Sequence, residues 1–130
     1  MGQSVIVLDT NAVVYWTLDP HRLTPAAASA LDDEDRRLVS SISIWEIGLK
    51  AKRGFLKLPL PIEEFVIRLK RVRGVEIMAV DDTTWLRNLD LDWSHRDPAD
   101  RTIVATADLL GCPLVTSDET IRSFYRNSIW

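Results

Sequence analysis

Two short apolar runs lead into a carboxylate, and this constrains the chain more than any other feature. Ser4-Val5-Ile6-Val7-Leu8 is followed at once by Asp9, and Pro113-Leu114-Val115 by Thr116-Ser117-Asp118. Short β-branched runs of this kind read as buried strands. A carboxylate at a strand's C-terminal end stands where open α/β folds gather their ligands.

The stretches between them alternate in the same style. Leu38 to Ile42 reads as a second strand and Val75 to Val80 as a third. Asn11 to Leu18 suits a short helix that stops near Pro20. Thr24-Pro25 opens an Ala-rich helix to about Glu34, with proline at its first position. The polar run from Asp32 to Arg37 is expected to lead out to solvent before the second strand. Ser43 and Glu46 match a capping box, which places Glu46 in the first turn of a helix ending at Gly54. Phe65, Leu69 and Val72 recur at i, i+4 and i+7 and predict one apolar face on a helix over Ile62 to Val72. Asp81 or Asp82 caps a helix to about Leu89. Asp97-Pro98 opens another, which closes at Gly111. A last short helix is expected over Glu119 to Phe124, with an edge strand or docked tail after it. Strands separated by helices predict an α/β fold with a mainly parallel sheet.

Length and composition fit one ordinary domain over residues 1–130. A chain this long removes roughly two-thirds of its extended surface on folding, so a core forms without cross-links. Cys112 is the single cysteine, which excludes an internal disulfide and fits a reducing compartment. No apolar stretch approaches the roughly 18 residues of a membrane span, and no basic region precedes the first apolar run. A soluble cytoplasmic protein, without membrane contact, is therefore expected. The 16 Lys and Arg against 19 Asp and Glu leave a net charge of -3. That total does not announce a nucleic-acid binder, but an acidic site and a basic rim cancel in it.

Asp9, Glu46, Asp100 and Asp118 lie in four chain regions that can converge on one edge of the sheet. Gathered carboxylates repel one another and lose hydration, so they need an opposing charge. A hard divalent cation supplies it. Magnesium takes oxygen ligands and keeps several waters, and manganese suits the same donors. Such a centre fits hydrolysis of a phosphodiester, by acidifying an attacking water and polarising a phosphoryl oxygen. Each acid also has a local reading. Asp9 and Asp118 suit helix caps, Glu46 the capping box or a partner for Lys50 at i+4, and Asp97 a plain N-cap. Asp100 suits the positive end of a helix.

Other polar residues join as accessories. Asn11 suits a bond to Asp9 or to water, and Thr116 and Ser117 suit orienting Asp118 or touching phosphate. His95 lies near Asp97, but no His and Cys cluster for zinc exists. Lys50, Lys52, Arg53 and Lys57 form one basic patch, and Arg68 to Arg73 a second charge-rich stretch. Lys50, Arg53 and Arg101 are candidates for contact with a phosphate backbone. Arg101 equally suits ordering the acids. Of the five tryptophans, Trp45, Trp85 and Trp93 fit core or partner-facing positions better than base stacking.

With these acids in place, the chain resembles the PIN-domain family, especially the VapC-like toxins of toxin–antitoxin systems. Val7-Leu8-Asp9-Thr10-Asn11 is similar to the family's first acidic motif, and Ser41-Ile42-Ser43-Ile44-Trp45-Glu46-Ile47 to its second. His95-Arg96-Asp97-Pro98-Ala99-Asp100-Arg101 resembles the third, with Asp100 at the metal position and Asp97 an accessory acid. Leu114-Val115-Thr116-Ser117-Asp118 resembles the final strand motif. The resemblance implies a three-layer α/β/α domain and magnesium- or manganese-dependent cleavage of RNA. It also implies a homodimer and a small antitoxin that blocks the active site. Operator DNA would be met only through that antitoxin.

Two other functions compete: a PIN nuclease for RNA processing or DNA without a toxin role, and a noncatalytic RNA-binding regulator. The chain lacks a receiver domain's paired acids and late lysine, and it has no glycine-rich phosphate loop or dinucleotide fingerprint.

Overall fold

The computed structural model describes residues 4–130. Its strands are β1 (Val5–Leu8), β2 (Arg36–Ser40), β3 (Val75–Met78), β4 (Leu114–Val115) and β5 (Ser128–Ile129). They pair in the order β3-β2-β1-β4-β5, every pair parallel. The helices are α1 (Thr10–Leu18), α2 (Pro25–Asp33), α3 (Ser41–Lys52), α4 (Ile62–Arg71), α5 (Asp82–Asp90), α6 (Pro98–Leu110) and α7 (Glu119–Phe124), with a 3-10 turn at Pro20–Arg22.

Side chains of a strand alternate between faces, and a parallel sheet is covered on both. Ile6 and Leu8 join Val39 and Val115 in a cluster with Val13 of α1, Leu31 of α2, Ile47 of α3 and Phe65 of α4. Val7, Leu38 and Leu114 face the other way, against Ile103 and Val104 of α6 and Ile121 of α7. The result is the expected three-layer α/β/α architecture. Truncating one of these buried side chains to alanine removes about 2 to 5 kcal/mol, so both layers are needed to hold the sheet. Among the described residues no helix is long and apolar enough to cross a membrane.

Strand order reverses beside β1: the chain moves to β2 and β3 on one side, then crosses to β4 and β5 on the other. This switch point opens a crevice at the C-terminal ends of β1 and β4. Asp9 follows β1 directly, and Asp118 lies three residues beyond β4.

Three expectations are corrected. The second strand begins at Arg36 and ends at Ser40, two residues earlier than its apolar run suggested. Its arginines find partners near the surface, in a run whose Asp32, Asp33 and Asp35 are exposed as expected. Arg36 Nε bonds Glu76 of the neighbouring strand at 2.6 Å, and Arg37 donates to the carbonyls of Leu31, Asp32 and Arg73. Consequently α3 starts at Ser41 with Ser40 as its cap, through a 3.3 Å bond from the Ile42 N–H. The capping box of Ser43 and Glu46 does not form. Ser43 bonds the Thr10 hydroxyl at 2.9 Å, and Glu46 sits in the second turn. Finally, Phe65 and Leu69 are buried as expected, but Val72 lies beyond the end of α4 and is partly exposed.

The turn into β3 depends on Gly74, whose φ is 80°. A Cβ there would lie 2.6 Å from the Asp35 carbonyl oxygen, whereas one at Gly54, with φ 78°, would meet nothing within 4 Å. Gly54→Ala therefore costs about 1 to 2 kcal/mol of left-handed strain alone, and Gly74→Ala adds a backbone clash. Chemical denaturation of both variants is expected to show the larger loss at Gly74.

Candidate metal centre

Three helix N-termini meet at the switch point, each capped by an acid. The Asp9 Oδ1 accepts the Thr10 N–H at 2.8 Å at the start of α1. The Asp97 Oδ1 accepts the Asp100 N–H at 2.9 Å at the start of α6. The Asp118 Oδ1 accepts the Ile121 N–H at 3.0 Å at the start of α7. The positive helix ends partly offset these carboxylates. Capping occupies one oxygen of each acid, so the local readings hold without exhausting the acceptors.

The structure brings Asp9, Glu46, Asp100 and Asp118 together around one cavity of about 160 Å³, with Asn11, Lys50 and Asp97 also in its lining. Glu46, Asp97 and Asp100 can each present one oxygen with all three atoms within 4.8 Å of one another. Asp97, expected as an accessory, is thus part of the tightest group. A far larger cleft of about 980 Å³ lies between α3 and α4, but it is mainly apolar and holds no such cluster.

Asp9 is the deepest acid, 4% exposed. Its second oxygen accepts the buried Thr116 hydroxyl at 2.8 Å, and the same hydroxyl accepts the Asp118 N–H at 3.1 Å. Thr116 therefore orients Asp9 and ties it to the Asp118 loop. Burial pushes the Asp9 carboxyl up to about 7, with Asp100 and Glu46 adding repulsion against the bonds from Thr116 and Thr10. Asp100 is also raised, by burial first and then by Asp97, Asp118 and Glu46, while its bond to His95 opposes the shift.

Glu46 offers an oxygen that could meet a cation. Its Oε1 is buried without a hydrogen-bond partner among the described residues. Its Oε2 lies 3.8 Å from Lys50 Nζ, one turn along α3. A lone buried carboxylate oxygen is costly, and a hard cation with oxygen ligands satisfies it. The acidic donor set fits magnesium or manganese.

The remaining candidates separate. Asn11 lines the cavity; Ser117 and Arg53 do not. Arg53 sits at the C-terminal end of α3 and is exposed. Arg101 is corrected: its guanidinium is turned into the protein and bonded to Asn88, Leu91, Trp93 and His95, so it is not free to meet phosphate. His95 was undervalued in sequence. Its Nε2 lies 2.7 Å from Asp100 Oδ2, and a histidine five residues before a candidate ligand was the available signal.

The raised Asp9 carboxyl fixes a pH dependence. Below about pH 4 the group is protonated in both folded and unfolded chains. Between about 4 and 7 the unfolded chain ionises it while the fold resists. Stability from this group is therefore lost as pH rises to about 7. With divalent cations chelated, the stability of D9N relative to the parent should increase from pH 4 to 7 and level off above, as measured by thermal denaturation of both proteins. A constant difference would contradict the burial argument.

A family profile described as PIN domain matches residues 6–127. Ribonuclease VapC22 of Mycobacterium tuberculosis is 31% identical over 121 residues, covering 92% of each chain. A toxin–antitoxin complex from Klebsiella pneumoniae has a TM-score of 0.69 at 18% identity, covering 96% of each chain. VapBC2 from Rickettsia felis, bound to a DNA fragment from its promoter, has a TM-score of 0.67 at 16% identity, covering 97% of this chain and 99% of that one. At such identities the two structures speak for the fold, while the profile and the ribonuclease relative carry the kinship. The chain belongs to the PIN-domain family and is similar to its VapC-like members.

Proposed function

We propose that the protein is a divalent-metal-dependent endoribonuclease, the toxin of a type II toxin–antitoxin pair. The observation that carries this reading is the convergence of Asp9, Glu46, Asp100 and Asp118 on one small cavity, with a buried Glu46 oxygen left without a partner among the described residues. These four acids, with Asp97 beside them, would hold magnesium or manganese. When bound, the ion would acidify an attacking water and polarise the phosphoryl group of RNA. The side chains do the rest. Thr116 holds Asp9 at a fixed angle, and the helix N-termini keep the carboxylates aimed inward. Among the described residues Lys50 is the cation in the cavity lining, placed to draw a phosphate toward an otherwise repellent pocket. Arg53 extends that basic edge along α3.

Partner surfaces support the same reading. An apolar cleft of about 330 Å³ between α1 and α4 is lined by Trp16, Leu18, Phe65, Leu69 and Val72. It suits an apolar segment of a neutralising antitoxin, through which operator DNA would be reached. On the other side of the molecule α5 is inverted. Thr84 and Asn88 face inward, while Trp85, Leu86 and Leu89 are 45%, 65% and 78% exposed. A second copy meeting this stripe about a two-fold axis would bury apolar against apolar, with Arg87 and Asp90 on the rim.

Total cellular RNA incubated with the protein and magnesium or manganese should be cut at defined sites, and a chelator should stop it. D9N, E46Q and D100N should each lose more than the roughly 10- to 100-fold typical of residues behind a metal's own ligands. Undiminished cleavage by D9N would overturn the proposal. L89E should convert a dimer to a monomer in sedimentation, and an unchanged dimer would place the subunit contact elsewhere.

A further inference from the structure

The segment Leu91–Asp97, between α5 and α6, has no regular structure of its own. It is held by the side chain of Arg101, in the first turns of α6. Arg101 Nε donates to Asn88 Oδ1 at 3.2 Å. Its Nη1 donates to the carbonyls of Trp93 at 2.5 Å and His95 at 3.1 Å. Its Nη2 donates to those of Asn88 at 2.6 Å and Leu91 at 3.3 Å. A guanidinium has five N–H donors, and all five are used on this one segment and the turn before it. Asn88 is fixed in return, by a 2.9 Å bond to the Thr102 hydroxyl.

His95 sits at the far end of the clamped segment. Its ring packs beside Trp93, with centroids 4.8 Å apart, and Trp93 stacks on Phe124 of α7 at 4.5 Å and 6°. The ring therefore has little freedom to turn. Its Nε2 lies 2.7 Å from Asp100 Oδ2. An ionised carboxylate only accepts, so the imidazole donates.

Asp100 shares its surroundings with Glu46, Asp97 and Asp118. Repulsion favours a rotamer that swings its carboxylate away from them. A donor that holds one oxygen fixes the carboxylate plane and so the direction of the other. We propose that His95 is a positioning residue that holds Asp100 in the acid cluster, itself kept in place by the five-bond clamp of Arg101. This inference rests on the metal-centre reading above.

The test is calorimetric titration with manganese, alongside metal-free thermal melts, of the parent chain, His95→Ala, His95→Gln and Arg101→Lys. The parent should bind manganese. His95→Ala should bind 10- to 100-fold more weakly, the range for residues that orient metal ligands, with an unchanged metal-free melt. His95→Gln, whose amide nitrogen can reach the same position, should recover most of the affinity. Arg101→Lys offers three donors to five acceptors and should also weaken binding. Equal affinity in the parent and His95→Ala would overturn the positioning role while leaving the metal centre intact. No binding by the parent would overturn the metal centre itself. If His95→Ala melts early, His95→Gln decides: a parent-like melt with parent-like affinity supports the role, and a parent-like melt with weak affinity refutes it.

Discussion

Like charges gathered in one cavity are the constraint on which this structure turns. The parallel sheet delivers Asp9 and Asp118 to its C-terminal edge, and α3 and α6 bring Glu46 and Asp100 to the same cavity. Nothing in hydrophobic packing rewards that meeting. It is tolerated because each acid is held by groups that favour its charge: helix N-termini at Asp9, Asp97 and Asp118, a hydroxyl at Asp9, an imidazole at Asp100 and an ammonium near Glu46. These contacts reduce the repulsion without removing it, since the Asp9 and Asp100 carboxyls remain above their ordinary range. An occupant that carries positive charge would offset the rest.

Local caps and a convergent site look like rival explanations of the same aspartates when only the chain is read. The structure shows why both hold. A carboxylate has two oxygens, and a helix cap uses one of them. Capping also fixes the χ1 of a short side chain, so it aims the free oxygen. An acid at a helix N-terminus beyond a parallel strand is therefore oriented by the same bond that stabilises the helix.

What the chain made legible follows from how local each signal is. The α6 boundaries were readable because Asp97-Pro98 and Gly111 act through adjacent backbone, and the left-handed φ of 61° at Gly111 meets that expectation. The ends of β1 at Leu8 and β4 at Val115 were readable from apolar runs in the same way. Misreadings arose where two local signals compete or a distant partner decides. Ser40 and Ser43 both suit an N-cap, and the sheet settled the matter by carrying β2 only to Ser40. The partners of Arg36 and Arg37 went unread because Glu76 and the carbonyl of Arg73 lie about 40 residues away in the chain. Arg101 beside an acid looked like a phosphate contact, since sequence does not show that its donors are all turned inward, to four backbone carbonyls and the Asn88 side chain.

Net charge was the least informative quantity, for a physical reason. Screening confines exposed charges to about 8 to 10 Å, so an approaching polyanion responds to a local face and not to a sum of -3. Here the acids are drawn into a cavity of about 160 Å³ while Lys50 stands at its wall and Arg53 lies further along the same helix. A divalent cation held in the cavity would offset much of the local negative charge there. Such an ion would bind only the folded arrangement, because the four acids are scattered along the unfolded chain. Occupancy and folding would therefore be linked: repulsion that weakens the fold would become, with a cation held, part of what selects it.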